Sequence, residues 1–188
     1  RHLLPVSLRF VGRTDLTGLK VLFVVFDRTY RPGAEALIEQ VKREYPSLPL
    51  QFLYHDRLPG LIVERVNVST YYNSLNCATA LARCRTRYAI LHDFDLYPLV
   101  PGYFLEVAKA LEQRELHFTG LEYTHFDGLK DEDRLIGTWC LGMDVHWLRN
   151  NHRPIHCFQR IARVRGQLVQ LDPFSYLQTL TDRRELAG

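Results

Sequence analysis

The sequence predicts an α/β domain whose mixed, mostly parallel sheet is flanked by helices. Short apolar runs rich in Val, Leu and Phe have the composition of buried strands, and segments with helical periodicity alternate with them. This alternation is typical of layered α/β folds. The 188 residues fit one domain, and a content of 46% hydrophobic and 24% charged residues is ordinary for a globular protein.

The first two strands and the first helix follow directly from the pattern. Residues 20–26 are a nearly continuous apolar run, which predicts a strand covered on both faces. Residues 34–45 then place apolar side chains at helical spacing, and Pro46 ends that helix. Residues 50–54 predict the second strand.

A second helix–strand–helix series follows. Ser69 or Thr70 can cap a long helix, and the short apolar run 88–91 predicts the third strand. Prolines break the chain after that strand, and residues 104–111 return to helical spacing.

The remainder is less regular. Strands are predicted at 118–122, 136–143 and 168–171, and a short helix is predicted at 145–149. Asp172 and Pro173 are a favourable cap and first residue for a last helix that reaches Leu180. Within one domain of 188 residues, we expect a half that binds a nucleotide sugar (about 1–115) and a half that binds an acceptor (about 116–188).

Composition narrows the possible partners. A formal net charge of +3 is too small to indicate nucleic acid, although it suits a phosphate-bearing small molecule. No apolar run approaches the roughly 20 residues that span a bilayer. The four cysteines form no CxxC pair and no zinc spacing, which predicts buried thiols. We therefore expect a cytoplasmic protein, unless a leader or anchor precedes Arg1.

The strongest chemical signal is the run RYAILHDFDLYP, residues 87–98. Asp93 and Asp95 directly follow an apolar strand, and side chains two residues apart on an extended chain point the same way. Carboxylates suit hard cations such as Mg²⁺ or Mn²⁺, which also bind substrate phosphate. The alternative is a pair of solvated acids in a turn, since a DxD pattern often occurs by chance.

Three stretches together resemble glycosyltransferases of the GT-A fold, which is Rossmann-like, and especially the inverting family 2. They are YNSLNCATALARCRTRYAILHDFDLYP, DRTYRPGAEALIEQV after the first strand, and GTWCLGMDVHWLRN at residues 137–150. The resemblance covers about residues 20–180. It implies metal-dependent transfer of a sugar from a nucleotide-diphosphate donor, with UDP favoured, to a glycan or another hydroxyl acceptor.

The resemblance also implies a donor site. Asp27, Arg28 and Tyr30 would contact the base and ribose, where a carboxylate can accept from the uracil ring N–H and a tyrosine can stack on the ring. Asn73 or Asn76 would lie near the donor, and Asp93 would contact both donor and metal. Each of these residues could instead belong to an ordinary polar surface.

Inverting transfer needs a carboxylate that takes the proton of the attacking hydroxyl. The sequence departs from the family here, because it lacks a clean acidic pair at the expected place. Asp172 is the predicted base, with a plain helix cap as its alternative, and Asp144 is held in reserve. His156 is a candidate third metal ligand. Trp139 and Trp147 are candidates for a sugar-stacking surface or for the core.

Two other functions compete with this prediction. A binding module of GT-A-like shape could hold a nucleotide sugar or a carbohydrate without catalysis. A phosphatase of the haloacid-dehalogenase type also carries DxD after an apolar strand, but its motif normally lies near the N-terminus with Gly or Thr soon after. Here nearly ninety residues precede the motif and Leu96, Tyr97 and Pro98 follow it.

Overall fold

The computed structural model describes residues 3–26, 33–54, 69–120, 123–124 and 134–187, and the architecture is mixed α/β. The chain divides into two compact units, Arg1–Cys84 with Tyr97–Leu105, and Arg85–Leu96 with Glu106–Gly188. The strand that carries Asp93 and Asp95 therefore belongs with the later part of the chain, whereas the two predicted halves meet near residue 115. Nothing in this division tests which ligand either half binds.

The first unit contains a parallel pair of strands. Its elements are α1 (Leu3–Val11), β1 (Leu22–Phe26), α2 (Ala34–Glu44), β2 (Leu50–Tyr54) and α3 (Ser69–Arg83). β1 and β2 pair in parallel over their whole length, from Leu22 opposite Leu50 to Phe26 opposite Tyr54. α3 contacts both strands. The predicted boundaries of β2 and of the first residues of α2 and α3 are confirmed.

The core of the first unit joins its helices to its strands. Leu8 of α1, Val41 of α2 and Leu48 are buried together, and apolar residues of both strands pack on them. The Tyr45 hydroxyl donates to the Pro5 carbonyl at 2.9 Å, which ties the end of α2 to α1. α1 was not predicted, because residues 3–11 contain a proline and no polar cap that would announce a helix.

The second unit holds most of the remaining elements, and α4 begins in the first unit and continues into it. These elements are β3 (Tyr88–His92), α4 (Tyr103–Gln113), β4 (Phe118–Gly120), β5 (Tyr123–Thr124), β6 (Leu135–Ile136), β7 (Cys140–Asp144), α5 (Val145–Asn151), a 3-10 turn (Pro154–Cys157), β8 (Arg160–Val164), β9 (Gln167–Leu171), α6 (Ser175–Thr179), a second 3-10 turn (Arg183–Glu185) and β10 (Leu186–Ala187).

The four-stranded sheet of this unit is mixed, in the order β10-β4-β7-β3. β10 is parallel to β4, while β7 is antiparallel to both β4 and β3. Three strands therefore share one direction and β7 runs against them. The helix α4 links β3 to β4 as a crossover between strands of the same direction. Hydrophobic pattern predicts that a strand is buried but not the direction in which it enters between two others.

Gly142 lies at the centre of this sheet and lets α4 pack closely on it. A Cβ at this position would meet Val107 at 2.6 Å and Leu111 at 3.2 Å, and both side chains are buried. Phe118, Leu141 and Met143 are also almost fully buried. The interior of the second unit therefore forms where β4 and β7 meet α4.

The antiparallel ribbon of β8 and β9 packs separately. Val169 and Leu171 are buried with Leu135, and α6 is fixed beside them by Gln178. The Gln178 amide accepts from the Ile136 N–H at 2.7 Å and donates to the Ile136 carbonyl at 3.0 Å. β8 was not predicted, because arginines alternate with its inward-facing residues and mask the strand pattern.

The last helix begins three residues later than predicted. α6 starts at Ser175, and Phe174 in the cap position has φ 65° and makes no side-chain cap bond. Asp172 instead opens a turn in which the Ser175 N–H donates to its carbonyl at 3.0 Å. The prediction that Asp172 caps the helix is wrong, because the chain takes a left-handed residue before it becomes helical.

Two predictions about composition hold in the described part of the chain. All four cysteines are buried and free, so none is joined in a disulfide. Among the described residues, no helix combines the length and the apolar character needed to cross a membrane.

Candidate functional site

The acidic motif forms a tight turn at the end of β3. β3 pairs with β7 up to His92 opposite Cys140, and the Asp93 N–H then donates to the Trp139 carbonyl at 2.8 Å. The Leu96 N–H donates to the Asp93 carbonyl at 3.1 Å and closes the turn. Both aspartates are thus held on a backbone that the sheet fixes, as the sequence predicted from their position after a strand.

The two carboxylates of this turn influence each other. Asp93 is half-buried and Asp95 is exposed. Burial, followed by the negative charge of Asp95, raises the pKa of Asp93 to about 6. Among the described residues, no hydrogen-bond donor or cationic side chain is bound to either carboxylate. Asp93 is therefore a carboxylate whose negative charge the described part of the protein leaves uncompensated.

These two acids fit a hard divalent cation. Carboxylate oxygens are the preferred protein ligands of Mg²⁺ and Mn²⁺, which usually take one or two carboxylates and complete their shell with water and phosphate. A cation beside Asp93 would favour its ionised form and offset the repulsion from Asp95. No group of three His, Cys, Asp or Glu side chains suited to a metal occurs in the described ranges, so the protein's contribution there would be this pair.

Two aromatic rings lie exposed beside the acids. Trp139 is 47% exposed although its carbonyl is bound to Asp93, and Phe94, between the two aspartates, is 56% exposed. Trp147 has the other role considered for it. Its indole stacks on His117 at 4.0 Å and meets the Phe118 ring edge-on at 5.9 Å, so it belongs to the interior.

Asp144 lies at the opposite end of the same ladder, where Tyr88 is its partner in β3. Four residue steps at roughly 3.3 Å per residue separate that end from His92. The Asp144 carboxylate caps α5 by accepting from the Trp147 N–H at 2.9 Å, and it accepts from Arg87 Nε at 3.2 Å. The reserve prediction of Asp144 as the base is not supported, because its carboxylate is occupied and remote from the acidic turn.

Asp172 has a different environment from the one predicted. A helix N-terminus would favour its ionised form, but α6 begins only at Ser175. Asp172 is half-buried, and burial raises its pKa. A carboxylate with a raised pKa takes a proton more readily at neutral pH, which suits a general base. Its role as base stays a prediction, now with a different physical reason.

His156 does not join Asp93 and Asp95 in a group of three ligands within the described ranges. It lies in the 3-10 turn Pro154–Cys157, where its ring centroid is 6.0 Å from those of His152 and Tyr176. Its sequence neighbourhood could not show this, because the aromatic contacts come from α5 and α6.

The predicted donor residues are only partly described. Asp27, Arg28 and Tyr30 lie outside the described residues. Asn73 and Asn76 are half-buried on α3 of the first unit, and the Asn73 amide oxygen accepts from the Cys77 thiol at 3.6 Å. Their predicted contact with a donor stays a prediction.

Sequence reasoning missed two features of this region. Phe94 was not singled out, although its place between two same-facing acids indicates that it points elsewhere. The ion pair of Arg87 with Asp144 was also missed, because 57 residues separate the partners along the chain.

His92 was correctly set aside as a metal ligand on the ground that it alternates to the other face. It is half-buried, and burial lowers its pKa to about 4, so it is neutral at pH 7.

Comparison with protein-family models, with curated proteins and with solved structures finds no match to this chain. The functional content of the resemblance described above therefore rests on the residues that carry it and on the geometry of the acidic turn.

Proposed function

We propose that this protein is a glycosyltransferase with a GT-A-like fold, which transfers a sugar from a nucleotide-diphosphate donor to a hydroxyl acceptor. Asp93 and Asp95 would hold Mn²⁺ or Mg²⁺, and a UDP-sugar is the favoured donor. The observation that carries the proposal is the uncompensated acidic pair, fixed at the end of a buried strand by the bond from the Asp93 N–H to the Trp139 carbonyl.

The surroundings of the pair support a carbohydrate substrate. The exposed faces of Trp139 and Phe94 lie beside the acids. Aromatic rings combine a large apolar face with little conformational freedom, and they pack well on the apolar face of a sugar ring. An acidic pair that needs a cation and an aromatic surface that suits a sugar are the two requirements of a nucleotide-sugar site.

The chain's own groups have separate tasks in this reaction. When bound, the cation neutralises charge that develops on the diphosphate leaving group. Asp93 and Asp95 hold it at a fixed place because the β3–β7 ladder holds their backbone. Asp172 would take the proton of the acceptor hydroxyl as that oxygen attacks the anomeric carbon, which gives inversion. Trp139 would orient a sugar ring by stacking.

A nucleotide-sugar or carbohydrate-binding module without catalysis is the second candidate. One observation favours it: the reserve base Asp144 is used as a helix cap and ion-pair partner, which leaves Asp172 as the single nominated base. Such a module would bind donor and cation without turnover.

The test is release of UDP from a panel of UDP-sugars in the presence and absence of Mn²⁺. We expect Mn²⁺-dependent release by the wild-type protein and loss of the Mn²⁺ dependence in Asp95→Asn. Glu112→Gln, which removes an exposed acid on α4, is the matched control and should behave as wild type.

Three results would separate the candidates. Release that depends on Mn²⁺ and on Asp95 supports the transferase. Thermal stabilisation by UDP and Mn²⁺ without turnover supports the binding module, since a ligand of the native state raises its melting temperature. An equal response to Mn²⁺ in wild type and in Asp95→Asn contradicts the metal assignment itself.

A further inference from the structure

The ribbon of β8 and β9 presents one exposed face that combines aliphatic and basic side chains. In its register Ile161 lies opposite Gln170, and Arg163 lies opposite Leu168. All four side chains are exposed, Ile161 by 71% and Leu168 by 69%. The alternate residues of both strands turn inward, and Val169 and Leu171 are buried against Leu135. We call the four exposed residues the ribbon face.

The segment that contains the ribbon is strongly basic. Between Asp144 and Asp172 the chain has no acidic residue and five arginines, whereas the formal net charge of the whole chain is only +3. Arg160 is used within the fold, where its guanidinium lies 4.2 Å over the Tyr176 ring. Arg163 and Arg165 are exposed at the tip of the ribbon, next to its aliphatic side chains.

We infer that the ribbon face and its tip bind an anionic lipid surface. Arginines attract the negatively charged headgroups of a bilayer, and aliphatic side chains between them enter the boundary of headgroup and acyl chain. Ile161 and Leu168 have this position relative to Arg163. An acidic polypeptide or a nucleic acid would use the arginines but would gain nothing from two exposed aliphatic side chains.

This inference is independent of the transferase proposal, because no residue of the ribbon face belongs to the acidic turn. The expected binding is weak and dependent on salt. Each arginine near an anionic membrane contributes about fivefold to the partition coefficient. Salt shortens the reach of these charges to less than about 10 Å, so binding should fall as salt is added.

The structure allows the charge to be removed without unfolding the ribbon. Arg165 and Gly166 form the two-residue turn, with φ of 46° and 88°. Positive φ at both positions is characteristic of a type I′ turn, for which Asn-Gly is the preferred pair. Arg165→Asn therefore removes a charge and suits the turn better than arginine does. Arg163→Gln removes the second charge and keeps a long polar side chain on the strand.

The experiment is cosedimentation of the whole chain with phosphatidylcholine vesicles that contain phosphatidylserine, and with vesicles of phosphatidylcholine alone. We expect binding to the first and not to the second. Arg163→Gln combined with Arg165→Asn should weaken binding by more than about tenfold. Ile161→Ser combined with Leu168→Ser should weaken it by about tenfold, because less apolar surface leaves water.

Arg114→Gln and Leu99→Ser are the matched controls, since each removes an exposed side chain of the same kind elsewhere in the chain. Circular dichroism checks that all variants fold. Absence of binding to the anionic vesicles overturns the inference, and so does an equal loss in the controls. Full binding by the Ile161→Ser, Leu168→Ser variant would indicate a contact through charge alone, as with an acidic polypeptide or a nucleic acid, and would also overturn it.

Discussion

The two ends of the β3–β7 ladder each carry a partly or fully buried aspartate, but in opposite circumstances. At one end Asp144 is 5% exposed, caps α5 and accepts from Arg87. At the other end Asp93 is half-buried, and the nearest charge that affects it is the like charge of Asp95. The described chain satisfies the first carboxylate and leaves the second without a partner.

This difference separates an acid used for structure from an acid available for a ligand. Burying a carboxylate is costly unless it is hydrogen-bonded or paired. Asp144 meets that condition with groups of the chain itself. Asp93 does not meet it within the described residues, which is why its pKa rises while the ladder still holds it in place. A cation would supply what is missing.

The largest expected effect concerns Asp172, which shares the raised pKa of Asp93. Asp172→Asn should lower kcat for transfer by about 10²–10⁴-fold with donor affinity nearly unchanged, because general-base catalysis is worth about that much. The rate of the wild-type enzyme should fall on the acid side at a pH above the ordinary aspartate range. Steady-state kinetics over pH, with the stereochemistry of the product, measure both.

Asp144→Asn is the matched variant for that experiment. It should keep nearly wild-type kcat per folded molecule, because Asp144 lies at the other end of the ladder. Near-normal turnover in Asp172→Asn, or retention at the anomeric carbon, would leave Asp172 without a catalytic role.

The next effect concerns the stability of the satisfied end. Asp144→Ala should lower the free energy of unfolding by about 2 kcal/mol, because α5 loses its cap and the Trp147 N–H loses its acceptor. Asp144→Asn should cost less, since asparagine also caps helices. The pair with exposed Arg87 adds little, as solvent screens it. Urea unfolding measures the change, and an unaffected Asp144→Ala would contradict the structural role.

The smallest effect has the opposite sign. Without metal, Asp93→Asn should raise the free energy of unfolding at pH 7 by about 1 kcal/mol or less, after allowance for solvent screening. The folded-state pKa of Asp93, about 6, exceeds its ordinary value of 3.8. The native state therefore holds the proton more tightly, and wild-type stability should fall between about pH 4 and pH 6 as the pH rises.

Urea unfolding over this range checks the sign. The Asp93→Asn curve should lack that decrease, because asparagine does not titrate. A decrease of equal size in wild type and variant would assign it to other groups.

The amino-acid pattern predicted this ladder better than it predicted the roles of its residues. β3 was located from its apolar run, and the acidic turn was placed after it, since both depend on neighbours along the chain. The roles of Asp144 and Trp147 depend on Arg87, His117 and other partners far away in sequence. Local pattern therefore nominated Asp144 as a base and could not show that its carboxylate was already engaged.

Backbone conformation explains the other errors. Asp172 followed by Pro173 has the composition of a helix start, but Phe174 at φ 65° delays the helix to Ser175. The ribbon of β8 and β9 was missed in part because its outward face carries both aliphatic and basic side chains. Such a face breaks the alternation of polar and apolar residues by which strands are recognised.

The most direct test of the uncompensated acidic pair is carbon-13 NMR of the aspartate carboxyls, titrated over pH with and without Mg²⁺, a diamagnetic ion. We expect the Asp93 carboxyl to titrate near pH 6 in the absence of Mg²⁺ and at clearly lower pH in its presence, while the Asp144 resonance does not respond to the ion. An Asp93 titration that Mg²⁺ leaves unchanged would contradict the assignment of this turn as a cation site.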